Sequence, residues 1–343
     1  MGRIVTLLHT QSDGTLSRTG LEALTAVRSL AADLNAEFDA GLVGGSVQPA
    51  AGIVAGAGAS RIYAVEGADF QQARYASDAA ALDALCKQAG ADLVVAPGTS
   101  RWNRVLPGIA GRFEGRIDTH VCDIAVEGGA PVVTRWYYRQ RMKAQIERTL
   151  RPWFIVCDPG SFSVFEGEIK EASAESVTAP LAEAGFKTEV AGFEKPAEGG
   201  QTIRPDAELL FVAGAGWTKL QPDGNVKVGD AEGLILSFLE STRASLGGSK
   251  SMVDLSSEGQ ETFSFMTHLN QIGQTGATPR HPKGLSTCCH GEEPHVVGWR
   301  FVNERRAVNL DANCGWAQGK ADVLYVGDAF EIISRVNELL VEA

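Results

Sequence analysis

The sequence predicts an α/β protein of two domains, each a mainly parallel sheet flanked by helices. Three observations lead there. Apolar strand-like runs alternate with amphipathic helical runs through the first third of the chain. A polar, acidic stretch rich in Pro and Gly, 158–206, interrupts this alternation. A second alternating pattern then runs from 208 to 343. Alternation of this kind builds βαβ units, and 343 residues are enough for two cores. The expected division is an N-terminal domain over 1–190, a linker over 191–206 and a C-terminal domain over 207–343.

In chain order, "RIVTLLH" (3–9) reads as a strand, 20–34 as a helix and 37–44 as a strand. The Gly/Ala-rich "VAGAGASR" (54–61) reads as a loop, and "RIYAVEG" (61–67) as a strand. A helix is expected over 78–90, a buried strand over 91–97 and a helix over 104–113. Three hairpin-like strands follow at about 119–127, 131–147 and 153–157. Beyond the polar stretch, 208–214 reads as a strand, 232–247 as an amphipathic helix, 250–256 as a strand and 258–271 as a helix. "KGLSTCC", "HVVGWRFV", "AVNLDA" and "DVLYVG" supply four further strands. A last helix spans 328–343, with Asp328 and Glu331 in a capping-box pattern. No internal repeat is legible.

Composition narrows the function. With 44% hydrophobic and 21% charged residues the chain has a globular balance. No apolar run is long enough to span a bilayer, and no signal-peptide pattern opens the sequence, which suggests a cytoplasmic protein. Six cysteines in a long chain of this kind read as reduced thiols. A net charge of −11 argues against generic nucleic-acid or anionic-membrane binding. The exception is 135–152, with six basic residues, one Glu and three aromatics; its period of two suggests a solvated hairpin or a docking face for an acidic partner.

Several stretches could carry chemistry. In "LLFVAGAGWT" (209–218), Gly214 and Gly216 follow a strand, where glycines admit a phosphate close to the backbone, or simply make a strand-to-helix turn. "GGSKSMVD" (247–254) places Ser249 and Lys250 at the start of an expected strand, suited to a pyrophosphate or flavin edge or to plain surface. Cys288, Cys289 and His290, with His281 and His295 nearby, suggest a metal; yet no C-x-x-C is present, and strand alternation turns Cys289 away from its neighbours. No bound metal is expected. Thr99 and Ser100 in "PGTSRW" lack a nucleophile elbow and sit where a helix cap belongs.

Taken together, the C-terminal motifs resemble the alpha subunit of electron-transfer flavoproteins, which binds FAD in its second domain. The family's G-G-R-G, S-R-x-x-V-D and V-G-Q-T-G are met by "AGAG" (213–216), "SKSMVD" (249–254) and "IGQTG" (272–276). Its S-G-x-x-Q-H-x-x-G, N-x-D and A-D-Y-x-x-x-x-D-L-F are met by "HGEEPHVVG" (290–298), "NLD" (309–311) and "ADVLYVGDAF" (321–330). The intervals from Thr275 to His295 and from His295 to Asn309 are similar to the family's without a gap. In the first half, "DLVVAPGTSRWNRVLPGIAGRF" and "IDTHVCDI" are also similar to it.

The resemblance implies an FAD-binding, Rossmann-like C-terminal domain. Gly214, Ala215 and Gly216 would form the turn near the diphosphate, and Ser249 and Lys250 would take the place of Ser-Arg. Ile272, Gly273, Gln274, Thr275 and Gly276 would lie at the isoalloxazine, with Thr275 near N5. His290 and Gly291 lead to His295, which would face the pyrimidine end, where reduction accumulates negative charge. Asn309 and Asp328 would hold the adenosine half; Asp328 equally suits a helix cap, and the two roles are compatible. Partners implied are a beta-like subunit, a flavin-dependent or related dehydrogenase as electron donor, and a downstream acceptor, with no nucleic acid and no membrane insertion. The chain would then be an electron carrier without substrate chemistry of its own; the rival is a flavin-free structural or docking subunit.

Departures from the family are concentrated near the implied cofactor. Ala215 and Lys250 stand where the family has Arg, and Lys gives up bidentate geometry. "STCCHGEEP" replaces a normally apolar strand and turn, bringing Glu292 and Glu293 close to an anionic cofactor, and 255–270 is longer than usual. A divergent member with an altered potential or partner is expected.

Overall fold

Runs such as "RIVTLLH" and "DLVVAP" are apolar at nearly every position because their strands are covered on both faces. The computed structural model describes residues 2–137, 142–181, 188–192, 203–204, 207–248, 252–253, 261–272, 280–288, 302–313 and 321–342. The chain divides into two compact units, Met1–Phe193 and Glu194–Ala343.

Unit 1 contains β1 (Arg3–His9), α1 (Arg18–Asp33), β2 (Phe38–Gly44), α2 (Gln48–Gly56), β3 (Ile62–Glu66), α3 (Ala68–Gln71) and α4 (Tyr75–Ala89). It continues through β4 (Ala91–Pro97), α5 (Ser100–Arg112), β5 (Arg116–Glu127), β6 (Ala130–Tyr137), β7 (Met142–Glu147), β8 (Trp153–Cys157) and β9 (Glu175–Ser176). Among the described residues the sheet runs β7-β6-β5-β8-β4-β1-β2-β3-β9, parallel except for the β5-β6-β7 meander. Helices α1 and α2 cover one face, and α4 and α5 the other. The Ser17 hydroxyl caps α1, and Gly90, at φ 60°, ends α4 in the left-handed conformation that glycine adopts freely.

Three expectations for this unit need correction. The supposed loop at 54–61 begins inside α2, whose start is set by Pro49 in its first turn. The stretch 131–147 is two strands, β6 and β7, paired antiparallel. And β8 belongs to no hairpin; it lies parallel between β5 and β4, where its apolar side chains are buried on both faces.

The polar stretch that interrupts the alternation is, over 158–181, a strap laid on unit 1. Phe165 N–H donates to the Leu21 carbonyl, Lys170 N–H to Gly52, and Val177 N–H to Ala64. Two glycines of α2 allow this approach. A Cβ on Gly56 would lie 1.8 Å from the Glu168 carbonyl oxygen, and one on Gly52 2.8 Å from the Ile169 side chain.

Unit 2 contains β10 (Leu209–Ala213), a 3-10 turn (Ala215–Thr218), α6 (Val228–Thr242) and β11 (Ser245–Gly248). A second 3-10 turn (His268–Asn270), β12 (His281–Cys288), β13 (Val302–Asn309), β14 (Val323–Val326) and α7 (Ala329–Glu342) follow. The described strands run β11-β10-β12-β13-β14, all parallel, and a bridge from Gly248 to Gln271 adds a rudimentary strand outside β11. With β10 as the first strand, the order is 3-2-1-4-5-6, that of a Rossmann sheet. Helices α6 and α7 pack on one face around Phe211, Leu246, Ile235 and Ile333.

Here too the structure moves elements. A strand forms at "SLGG" (245–248), within the helix expected over 232–247, because Arg243, at φ 52°, stops α6 early. Of the strand expected at 250–256, only Met252 and Val253 are among the described residues, and they are helical. Glycine suits β11 because a Cβ on Gly247 would meet Ile272 at 2.9 Å and one on Gly248 the Met266 sulfur at 2.9 Å. Residues 261–271 form turns and a 3-10 segment rather than an α-helix, with Thr267 and Asn270 capping each other. Of the strand expected at 295–302, only Val302 is among the described residues, and it begins β13.

A repeat unseen in the sequence emerges. Each unit's first strand leads into the same Asp-Gly hairpin before its first helix. Gln11 N–H donates to Thr15 and Gly14 N–H to Gln11; Gln221 N–H donates to Asn225 and Gly224 N–H to Gln221. Asp13 and Asp223 each accept from the backbone N–H two residues on, and Gly14 and Gly224 have φ of 82° and 80°.

Candidate functional site

In a Rossmann sheet the loops after the strands' carboxyl ends make the ligand crevice, at the point where strand order reverses. In unit 2 that point lies between β10 and β12. Gly214 N–H crosses it to the Thr287 carbonyl at 2.8 Å. The register pairs Ala213 with Gly248 and Thr287, Cys288 with Asn309, and Asn309 with Val326, so β11, β10, β12, β13 and β14 end in one row.

The sequence candidates fall along this row as follows. Gly214 directly follows β10, and Ala215 and Gly216 open a four-residue 3-10 turn. The helix α6 begins only after the Asp-Gly hairpin. Ile272 donates its N–H to Gly248 and is buried. Asn309 ends β13, and Asp328 caps α7, its carboxylate accepting the Phe330 N–H at 2.7 Å. Ser249, Lys250, Gly273, Gln274, Thr275, Gly276, His290, Gly291 and His295 lie outside the described residues. In the chain, Ser249 comes next after the last residue of β11 and Gly273 next after Ile272.

Side chains not among the sequence candidates secure the turn. Trp217 is fully buried; its indole donates to the Thr287 hydroxyl at 2.7 Å and its ring meets Phe330 edge-on at 4.7 Å. Thr287 in turn donates to the Val212 carbonyl at 3.0 Å. Gln221 donates its amide to the Gly216 carbonyl at 3.2 Å. The only sequence signal was the aromatic immediately after the second Ala-Gly.

Two features suit an anionic nucleotide. The first N–H groups of a 3-10 turn, on Ala215 and Gly216, have no acceptor within it, and the backbone there is buried. The Asn309 amide nitrogen is also buried and lacks a hydrogen-bond partner, although its carbonyl oxygen accepts from Asp311 N–H at 3.3 Å. A buried donor left unmade costs about 1–3 kcal/mol, so a ligand acceptor there would recover stability. One feature limits the site. The Ala215 side chain belongs to the core beside Trp217, which leaves no room for a cation at that position.

His281 is remote from this edge. It begins β12 at the amino end, bonded to Ser245 Oγ at 2.8 Å and to the Arg204 carbonyl at 3.1 Å. The seven-residue rise of β12 puts it roughly 23 Å from the strand's far end. Among the described residues no group of three or more His, Cys, Asp or Glu is placed to hold a metal, and no described helix is long and apolar enough to cross a membrane.

Unit 1 has its own reversal point, between β1 and β4. There His9 Nε2 hydrogen-bonds Thr99 Oγ1 at 3.0 Å. Thr99 also caps α5, accepting from Trp102 N–H at 3.2 Å. Along the same sheet, His120, at φ 57° on a β5 bulge, bonds the buried Asp158, which follows β8, at 3.1 Å. Burial, reinforced by the nearby Arg101 charge, lowers the His9 pKa to about 4. His9 is therefore neutral at pH 7. Because the unfolded chain binds the proton more readily, His9 lowers stability as pH falls from about 6.5 towards 4, by on the order of 2 kcal/mol at pH 5. Thermal unfolding from pH 7 to 4.5 should show a shallower loss in His9→Asn than in wild type; equal slopes would contradict this.

The family model of the electron transfer flavoprotein domain matches residues 5–184 of the chain. No curated protein matches it.

Proposed function

Because the chain belongs to the electron transfer flavoprotein family, we propose that it is an alpha-type subunit that binds FAD in unit 2 and carries electrons. It would receive them from a partner dehydrogenase and pass them singly to a downstream acceptor, in complex with a beta-like subunit, in the cytoplasm. The observation that carries this reading is the row of carboxyl strand ends in unit 2, bearing a buried glycine turn and the unpartnered Asn309 amide. FAD, when bound, supplies the ability to take up electrons in pairs and release them singly.

The chain's part is binding and electrostatics. The N–H groups of Ala215 and Gly216 would meet the diphosphate, with Lys250 the nearby cation. Asn309 would donate to the adenosine half. Gln274 and Thr275 would hydrogen-bond the ring edge, and His295 would offer positive charge or a proton where negative charge collects on reduction. Ser249, Ile272, Gly273, Gly276, His290, Gly291 and Asp328 would shape the pocket around them.

The core position of Ala215 supports a second reading, a flavin-free docking subunit, because it forgoes a cation at the diphosphate turn. An absorption spectrum of the purified full-length chain decides between them. About one FAD per chain, as isolated or after reconstitution, is expected; no flavin under either condition would leave the docking role.

A further inference from the structure

Two buried polar groups lie unsatisfied on one face of the unit 2 sheet. Ser286 on β12 and Asn309 on β13 are each 1% exposed, and neither the Ser286 hydroxyl nor the Asn309 amide nitrogen has a hydrogen-bond partner. The register makes them neighbours. Ser286 pairs with Ala307 and Cys288 with Asn309, so Ser286 and Asn309 point to the same side, one pair apart. Around them the face is apolar: Val212 pairs with Ser286 from the other side, and Leu210, Ile272 and Val302 complete the cluster.

The adjacent hydroxyl shows the contrast. Thr287 points to the opposite face and is fully used, accepting from Trp217 and donating to Val212. Nearly all buried polar groups in folded proteins are paired. Two orphans side by side, near the carboxyl ends of strands flanking or next to the reversal point, call for one shared partner. Asn309 offers N–H donors, because its oxygen is already engaged; Ser286 can donate or accept. A flat group with an acceptor and a polar edge satisfies both, as a nucleoside does.

From this we infer that Ser286 is a further cofactor-binding residue, its hydroxyl meeting the nucleoside half of the dinucleotide beside Asn309. The inference rests on the reading of unit 2 as an FAD site, and its test separates the two. Full-length wild type and Ser286→Ala, both stripped of flavin, are titrated with FAD, with ADP as competitor and with FMN, and the melting temperature of each apoprotein is measured. Loss of one neutral hydrogen bond is worth about 1 kcal/mol, or roughly fivefold in affinity. Ser286→Ala should bind FAD and ADP about fivefold more weakly, leave FMN unchanged, and melt at the same or a higher temperature, since it removes an unpaired hydroxyl. FAD affinity equal to wild type would overturn the inference, leaving the hydroxyl to a buried water. A loss for FAD but not for ADP would move the contact to the flavin half and overturn it equally. An apoprotein that melts several degrees lower would show that the hydroxyl has a partner within the chain. Failure of wild type to bind FAD at all would instead remove the functional reading on which the inference stands.

Discussion

Asp118→Ala is expected to destabilise unit 1 by about 3–5 kcal/mol, the cost of removing one partner from a buried charged network. Asp118 is fully buried and accepts from Arg135 at 3.0 Å, from Arg148 at 3.0 and 3.1 Å, and from the Trp153 indole at 2.9 Å. Burial pushes its carboxyl up, but the two guanidinium groups and the indole outweigh that and hold its pKa below the usual value. Removing it strands the indole N–H of Trp153, which is itself fully buried, and leaves Arg135 facing the core. Arg148, a third exposed, can turn to water and soften the loss. Urea unfolding followed by circular dichroism should show a lower midpoint for this unit with an unchanged slope. Because the folded pKa is depressed, the network's contribution is full above the unfolded value near 4 and fades below it. Wild type and variant should therefore converge only in strong acid. A loss under about 1 kcal/mol at pH 7 would mean that Asp118 is not the keystone described here.

Trp217→Ala should cost unit 2 a comparable amount, about 3–5 kcal/mol for a large buried aromatic. The indole fills the core between the turn and Phe330 and ties the turn to β12 through Thr287. On the proposed reading of unit 2 as an FAD site, its loss should weaken FAD binding as well, since Ala215 and Gly216 would no longer be held in place. Trp217→Phe separates the two contributions. It keeps most of the packing and gives up only the hydrogen bond, leaving Thr287 still paired with Val212. A cost of about 1–2 kcal/mol is expected for it. If alanine and phenylalanine variants lost equal stability, the hydrogen bond rather than the packing would dominate, contrary to this account. If FAD affinity were unchanged in Trp217→Ala, the turn would not be part of the cofactor site.

The basic stretch 135–152 shows how far pattern alone reaches. Its alternation correctly indicated strands, but the reading of its charge as a solvated or docking face was incomplete. Arg135 and Arg148 turn inward to Asp118, which precedes them by 17 and 30 residues, and Lys143 and Arg151 lie over Trp136 and Trp153. No local window contains both a cation and the acid it serves.

The sequence by itself determined what depends on neighbours in the chain. The unbroken apolar runs of β1, β4 and β10 could only be buried strands, the alternation with helices implied parallel sheets, and the Thr99 and Asp328 caps were legible from one turn. It also carried the resemblance whose family the chain joins. Only the tertiary structure decided the rest: that "SLGG" is a strand, that 158–181 is a strap, and that Ser286 and Asn309 stand together. Glycine has little strand preference of its own, so β11 exists because β10 pairs with it and Ile272 and Met266 leave no room for a Cβ. The strap is mostly polar, sets Phe165 into the unit 1 core and is held by backbone bonds to residues more than 100 positions earlier. Pairings of that range depend on burial and register in the folded chain, which no local pattern of residues encodes.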